Sequence, residues 1–177
     1  MPNYRRAFVP GGCWFFTVNL RDRRKSLLVD HIETLREAVS VTRQSYPFAI
    51  DALVVLPDHL HAVWSLPPDD SDFSTRWRLI KGRFAKALPK EEQLDAVRLR
   101  PNERGVWQRR FWEHLIRDET DFARHVEYCY INPMKHGFVT RVRDWPYSSF
   151  HRDVRAGLLP QDWGGDIEAT GDFGERG

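Results

Sequence analysis

The sequence predicts an α+β fold of the ferredoxin-like type, a βαββαβ sandwich with one antiparallel sheet, followed by one further helix. Short segments rich in aromatic and β-branched residues alternate with longer segments of helical periodicity. The 177 residues are 41% hydrophobic and 29% charged, which suits a globular domain with its own core. No apolar run is long enough to cross a membrane, so we expect no membrane partner.

Four strands are predicted from their composition and from the breakers beside them. The first, 14–20, follows a Pro-Gly-Gly turn at 10–12. The second and third, 48–56 and 59–66, are separated by two turn residues, which predicts a hairpin. The fourth covers 106–117.

Three helices complete the predicted order. Asp30 is the expected N-cap of a helix that runs to about residue 46, and a second helix covers 72–88. Asp118 is the expected N-cap of the third helix, which Pro133 and Gly137 are expected to end. This last helix follows the fourth strand and carries much of the chemistry considered below.

The charge distribution divides the chain into a domain at 1–152 and an acidic, flexible tail at 153–177. The tail contains six acidic and two basic residues, whereas the rest of the chain contains 25 basic and 19 acidic residues. A basic body with an acidic tail suits a protein that binds a polyanion, although a solvated tail on a mildly basic domain has the same composition.

The two cysteines, Cys13 and Cys129, are too few for a disulfide framework and form no Cys-x-x-Cys zinc pattern. The first residues lack the apolar stretch of a signal peptide. Both observations favour a reducing compartment, and we expect a cytoplasmic protein.

Two histidines two residues apart, His59 and His61, are the first candidate for chemistry. On a strand they point to the same face, about 7 Å apart, while Leu60 points to the other. Two imidazoles so placed can bind one divalent ion. The alternative is a pair of strand histidines with no ligand.

The predicted last helix carries the second candidate. Tyr128 and Asn132 are four residues apart and share one helix face, whereas Tyr130 lies about 200° around the helix from Tyr128. A tyrosine hydroxyl, with a pKa of about 10, becomes a nucleophile when a cation or base stabilises its phenolate. Asn132 offers a neutral oxygen to a metal. His125 lies on the Tyr128 side as a base or a packing residue, and packing is favoured.

Basic and aromatic residues interleave in several segments, which suits single-stranded nucleic acid because rings stack on bases and cations meet phosphates. Trp107 and Phe111 are nevertheless expected in the core. The candidate phosphate contacts are Lys81, Arg83, Arg109, Arg110 and Lys135, together with Arg5 and Arg6 near the N-terminus.

These motifs resemble a known family. The run Leu-Pro-Asp-His-Leu-His at 56–61 and the run Tyr-Cys-Tyr-Ile-Asn-Pro-Met-Lys-His-Gly at 128–137 are similar to the single-tyrosine, His-hydrophobic-His transposases. The closer similarity is to the REP-associated tyrosine transposases, whose resemblance covers about residues 4 to 151. Further matching stretches are 4–6, 11–20, 107–114 and 144–150.

The resemblance implies a function for each candidate residue. His59 and His61 are the metal ligands, Asn132 matches a third ligand position loosely, and Tyr128 is the nucleophile. It implies metal-dependent cleavage and rejoining of single-stranded DNA through a 5′-phosphotyrosine, with Mg²⁺ or Mn²⁺ as cofactor. It also implies repetitive extragenic palindrome hairpins as the DNA, a nucleoid-associated location, and a monomer or homodimer.

Two other functions are compatible with parts of the pattern. A domain of the same fold could bind structured nucleic acid without cutting it, although the joint presence of His59, His61 and Tyr128 favours the enzyme. A zinc hydrolase using both histidines and Cys129 would need a general base that the motifs do not supply.

The acidic tail could imitate single-stranded DNA and compete for the binding surface.

Overall fold

The computed structural model describes residues 7–90 and 104–164. Within these ranges the strands are β1 (Cys13–Asn19), β2 (Ala49–Val55), β3 (His59–Ser65) and β4 (Trp112–Leu115). The α-helices are α1 (Leu27–Asp30), α2 (Ile32–Ser45), α3 (Phe73–Ala87), α4 (Glu119–Lys135) and α5 (Phe150–Arg155). A 3₁₀ turn, Val142–Asp144, lies between α4 and α5.

The strands form one sheet in the order β2-β3-β1-β4, and every neighbouring pair is antiparallel. This is the ferredoxin-like arrangement that the βαββαβ order predicts, and the predicted fold class is confirmed. β1 pairs with β3 along its whole length, from Cys13 opposite Ser65 to Asn19 opposite His59. β1 and β3 are therefore the central strands.

Alternation along β1 divides the core into two layers. Phe16 and Val18 pack with α2 and α3 on one face of the sheet, whereas Phe15 on the other face packs with α4. In the first layer Trp64 of β3 and Trp77 of α3 stack, with ring centroids 4.1 Å apart. Helices α2 and α3 thus cover one face of the sheet, and α4 covers the other.

The fourth strand is shorter than predicted. Only Trp112–Leu115 pairs with β1, and Trp107 makes an isolated bridge to Leu20. Lys81 of α3 explains the irregular backbone between them, because its ammonium donates to the carbonyl oxygens of Gln108 and Arg109, at 2.6 and 3.4 Å. Those carbonyls are thereby bound to a side chain.

Of the predicted helix ends, the start of α2 differs in the structure. Asp30 ends the short helix α1 and does not cap α2, which begins at Ile32. Pro133 lies inside α4, two residues before its end, and a glycine in the left-handed region, Gly137 at φ 74°, follows the helix. Asp118 caps α4 as predicted, since its carboxylate accepts from the Asp121 amide at 2.8 Å.

The predicted boundary at residue 152 falls within α5. Asp153 is buried and accepts a hydrogen bond from the Tyr130 hydroxyl. The Trp163 ring lies 6.0 Å from that of Tyr130. Residues 153–164 therefore pack on the domain, and the rest of the predicted tail, 165–177, lies outside the described residues. None of the helices in the described ranges is long and apolar enough to cross a membrane.

Candidate active site

The strand register brings the two histidines under α4. His59 and His61 pair with Asn19 and Thr17 of β1, and both imidazoles are buried on the α4 face. Leu60 packs into the opposite core layer, as predicted. The imidazole centroids lie 5.0 Å apart and their planes are inclined by 81°.

Each imidazole is held through its Nδ1 atom. Nδ1 of His61 lies 2.8 Å from the Thr17 hydroxyl, and Nδ1 of His59 lies 2.7 Å from a carboxylate oxygen of Asp58. With the proton on Nδ1, both nitrogens donate, and Nε2 is the atom that each ring offers to a metal. Hydroxyl and carboxylate partners of this kind orient histidine ligands in metal sites.

Asp58 is itself fixed as an anion. Burial alone would raise the pKa of this carboxyl, but hydrogen bonds from His59 and Arg23 outweigh it and lower the pKa to about 2. Arg23 also donates to the Asn19 side-chain oxygen at 3.1 Å. The His59 ring therefore rests on a charged network anchored in the loop after β1.

Tyr128 meets the histidines from α4. Its ring centroid lies 5.1 Å from that of His61, and Phe15 packs beside both rings. The Lys135 ammonium donates to the Tyr128 hydroxyl at 3.0 Å and lies 4.8 Å from the ring centroid. A cation at this position stabilises a phenolate.

The other tyrosine of the motif faces away from the histidines. The Tyr130 hydroxyl bonds to Asp153 and lies 3.2 Å from the Ser149 hydroxyl. Burial, followed by the hydrogen bond to the Asp153 carboxylate, raises the pKa of Tyr130 far above its ordinary value. A phenol so held is a poor nucleophile, and the geometry distinguishes the two tyrosines as their helical spacing predicts.

Two further polar residues lie at the end of α4 and just after it. Asn132 is fully buried on α4, one turn after Tyr128. The His136 ring, just after the helix, lies 5.1 Å from the His59 ring. Two imidazole nitrogens together with an amide oxygen would form a donor set that suits Mn²⁺, and Mg²⁺ would accept it less readily because it prefers oxygen ligands. The residues present therefore fit a divalent ion.

Cys129 has no suitable environment for zinc. It is fully buried in the core layer beneath α4, and burial raises the pKa of its thiol far above the ordinary value. Its side chain belongs to the same buried apolar cluster as Val54, Val63 and Phe150. The zinc hydrolase hypothesis loses its third ligand.

A second cluster with ligand-like spacing, His114, Asp121 and His125, lies at the start of α4. The His114 and His125 rings stack with centroids 4.6 Å apart and planes inclined by 16°, and one possible ligand atom of each cluster member lies within 4.8 Å of the others. The Asp121 oxygen that lies 2.8 Å from His114 also accepts from the Arg117 amide at 3.0 Å. His125 also packs on Phe15 at 4.8 Å. The cluster is a closed hydrogen-bonded network. The packing of His125 agrees with the prediction that this residue packs in the core instead of acting as a base.

The predicted phosphate contacts are dispersed. Lys81 and Arg83 belong to α3, across the sheet from Tyr128; Lys81 holds the loop before β4, and Arg83 donates to the Thr42 hydroxyl at 3.1 Å. Arg109 and Arg110 are exposed in that loop. Lys135 lies within the site, and the predicted contacts at residues 5 and 6 lie outside the described residues.

Sequence reasoning missed the residues that hold the site together. Thr17, Asp58 and Arg23 contact the imidazoles or their carboxylate partner, and Lys135, which was predicted as a phosphate contact, also donates to the Tyr128 hydroxyl. Asp58 had a signal, because it precedes His59 within the quoted motif. Thr17 and Arg23 are 44 and 36 residues from their histidine partners, so no local sequence pattern could indicate them.

Fold and site together define an α+β protein in which paired histidines on a central strand face a tyrosine on a covering helix. A scan against protein-family models finds no match. A protein of Haemophilus influenzae, provisionally named a REP-associated tyrosine transposase, is 51% identical over 98% of this chain and 100% of its own. The REP-associated tyrosine transposase of Escherichia coli is 50% identical over 94% of this chain and 93% of its own.

A solved structure extends the comparison to three dimensions. The structure of a REP-associated tyrosine transposase bound to a REP hairpin is similar with a TM-score of 0.87 and 49% identity. The match covers 99% of this chain and 98% of the other. The chain belongs to the family of REP-associated tyrosine transposases, which are enzymes.

Proposed function

We propose that this protein is a metal-dependent enzyme that cleaves and rejoins single-stranded DNA through a covalent bond to Tyr128. One observation carries the proposal: His59 and His61 lie on one face of β3, and the Tyr128 ring lies against His61 with its hydroxyl bound by Lys135. This arrangement supports a site for a divalent ion beside a polarised nucleophile. Paired histidines would not by themselves require a tyrosine beside them, and a tyrosine would not by itself require paired histidines.

The reaction is a transesterification at phosphorus. The Tyr128 oxygen forms a bond to the scissile phosphorus while the bond from phosphorus to the 3′ oxygen of the preceding nucleotide breaks. The phenolic proton leaves, and the departing 3′ oxygen gains a proton to become a hydroxyl. The new phosphotyrosine conserves the ester energy, so attack by another 3′ hydroxyl reverses the step and joins new ends.

The protein residues divide this work. Lys135 supports the developing phenolate through its hydrogen bond to the Tyr128 hydroxyl. His59 and His61 would hold the metal, with Asn132 as the proposed third ligand, and Thr17 and Asp58 keep the two imidazoles oriented. A bound Mn²⁺ or Mg²⁺ supplies Lewis-acid stabilisation of the charge that develops on the phosphate.

The DNA is proposed to be a hairpin with unpaired flanks. The solved relative is bound to a REP hairpin, and its fold matches this chain over nearly its whole length. Exposed Arg109 and Arg110, before β4, supply cations for phosphate contacts. A nucleoid location would follow from such binding, and a monomer or homodimer stays the expected state.

Adduct formation tests the nucleophile. A REP hairpin oligonucleotide with single-stranded flanks is incubated with the protein and Mn²⁺, then resolved under denaturing conditions. A label on the 3′ end should migrate with the protein, whereas a label on the 5′ end should be released on a fragment ending in a 3′ hydroxyl. Tyr128→Phe should bind the hairpin and give no adduct.

The control for this variant is Tyr130→Phe, which removes the neighbouring hydroxyl and should still give the adduct. EDTA, His59→Ala and His61→Ala should each abolish the adduct while the far-ultraviolet circular dichroism stays unchanged. Full cleavage by Tyr128→Phe, with loss in Tyr130→Phe, would contradict the assignment. Cleavage undiminished in EDTA would contradict the metal. Hairpin binding without any cleavage by the unchanged protein would favour a binding protein that does not cut.

A further inference from the structure

The sheet register places an exposed tryptophan in line with the site. Thr17 of β1 is paired with His61 on one side and with Trp112 of β4 on the other. Directly paired residues share a sheet face, and the Thr17 hydroxyl does contact His61. Trp112 therefore lies on the site face, two strand spacings or about 10 Å from His61 along the row.

Trp112 differs from the other six tryptophans of the chain. All seven lie in the described ranges, and Trp112, with 36% of its surface exposed, is the most exposed of them. The next residue along β4 on this face, His114, is covered by the stacked ring of His125. Helix α4 packs mainly on β2 and β3, so it leaves the Trp112 end of the row open.

Two exposed cationic side chains precede Trp112 in the chain. Arg109 and Arg110, both exposed, come just before β4. Phe111 packs against Phe16 and Phe73 in the opposite core layer. Because side chains alternate along a strand, Trp112 lies on the other face of the sheet, which is the face of the site. An open aromatic ring beside arginines is the combination on which single-stranded nucleic acid stacks its bases.

We propose that Trp112 is a base-stacking subsite: it holds an unpaired nucleobase close to the phosphate that is bound at His59, His61 and Tyr128. This inference rests on the proposed function and adds a specific contact to it. The subsite would orient the strand so that the scissile phosphate meets Tyr128. It accepts any base by its face, so it contributes affinity and register rather than sequence discrimination.

The test is a double-mutant cycle between the ring and the base. Hairpin binding is measured with the cleavage-deficient Tyr128→Phe protein, with and without Trp112→Ala. The oligonucleotides carry one abasic position each, scanned across the unpaired flanks. Loss of one stacked base corresponds to about 5- to 100-fold weaker binding. Trp112→Ala should weaken binding to the intact hairpin by this factor, and at one abasic position its effect should fall below about twofold.

Two variants control the cycle. Trp112→Phe keeps a ring and should retain most of the affinity. Tyr46→Ala removes another exposed aromatic, 40% exposed, at the end of α2 across the sheet from Tyr128, and should leave binding unchanged.

Two outcomes of these binding measurements would contradict the proposal. Unchanged affinity in Trp112→Ala, or an effect that adds independently to every abasic position, overturns the subsite while leaving the adduct assay and the proposed function intact. If the unchanged protein binds no single-stranded hairpin, the proposed function and the subsite both fail.

Discussion

At the scale of single residues, the contact between Tyr128 and Lys135 determines how the proposed nucleophile could be activated. Seven residues separate them, which is two helical turns, so they lie on one face of α4. The Lys135 ammonium donates to the phenol at 3.0 Å although the lysine itself is exposed. Such a cation can both stabilise a phenolate and attract a phosphate.

Lys135→Met separates these two roles. We expect the rate of adduct formation to fall by about 10²-fold, as for other lost charge-stabilising donors, while hairpin affinity falls only modestly. The pH–rate profile should move to higher pH, because the phenolate is then less stabilised. Lys135→Arg, which keeps the charge, should restore much of the rate. Equal losses of rate and affinity, with no movement of the pH profile, would make Lys135 a phosphate contact only.

Sequence spacing predicted which residues of the candidate site share a face, but it did not predict the residues that support them. His59 and His61 share a face because strand side chains alternate, and Tyr128 is separated from Tyr130 by helical rotation; both are local rules. Thr17 reaches His61 through a pairing 44 residues distant, which no local rule predicts. The position of the proposed third ligand, Asn132, relative to the histidines is also beyond local rules, because it depends on how α4 crosses the sheet.

At the scale of elements, α4 shows how a helix can tolerate proline. The ring of Pro133 removes one donor near the end of the helix, where Asn132 still accepts from the His136 amide at 3.0 Å. The predicted end between Pro133 and Gly137 agrees with the observed end at Lys135, and Pro133 forms part of the last turn instead of stopping the helix. The observed β4 is shorter than predicted for a different reason. The Lys81 side chain of α3 binds the carbonyls of Gln108 and Arg109, which alternation of the sequence had assigned to the strand.

The first turns of α4 predict a pH dependence of stability. Burial lowers the pKa of His125, and this outweighs the hydrogen bond with the Asp121 carbonyl, which raises it. The unfolded chain then binds a proton at pH values where the folded chain does not. The free energy of unfolding should therefore fall as pH falls below about 6.5, the ordinary histidine value.

Urea unfolding at pH 7.5 and 5.5 measures this dependence. His125→Gln should show a smaller loss of stability between the two pH values than the unchanged protein, even if it is less stable at both. His31→Gln, at the start of α2, is the control and should keep the original loss. An identical loss in His125→Gln would show that other groups, among them His114 and Asp121 in the same cluster, govern the acid side.

At the scale of the whole molecule, the position of the described C-terminal part changes the expected role of the acidic tail. Residues 153–164 complete the core, because Asp153 binds the Tyr130 hydroxyl and Trp163 packs beside it. Truncation after Arg152 should thus cost about 2 kcal/mol or more in the free energy of unfolding, since it leaves a buried hydroxyl without its carboxylate. The division at 152, based on composition, could not include these contacts.

Truncation after Gly164 is the informative change, because it removes charge and leaves the packed residues in place. Residues 165–177 contain four acidic residues and one basic residue, so the formal net charge rises from +2 to +5. Hairpin affinity should increase severalfold at low salt, and the gain should shrink as salt screens the interaction. Fluorescence anisotropy across a salt series, with circular dichroism to confirm the fold, measures both effects. Equal affinities of the two proteins at low salt would contradict a competing role for these acidic residues. A gain that persists at high salt would show that they act through something other than charge.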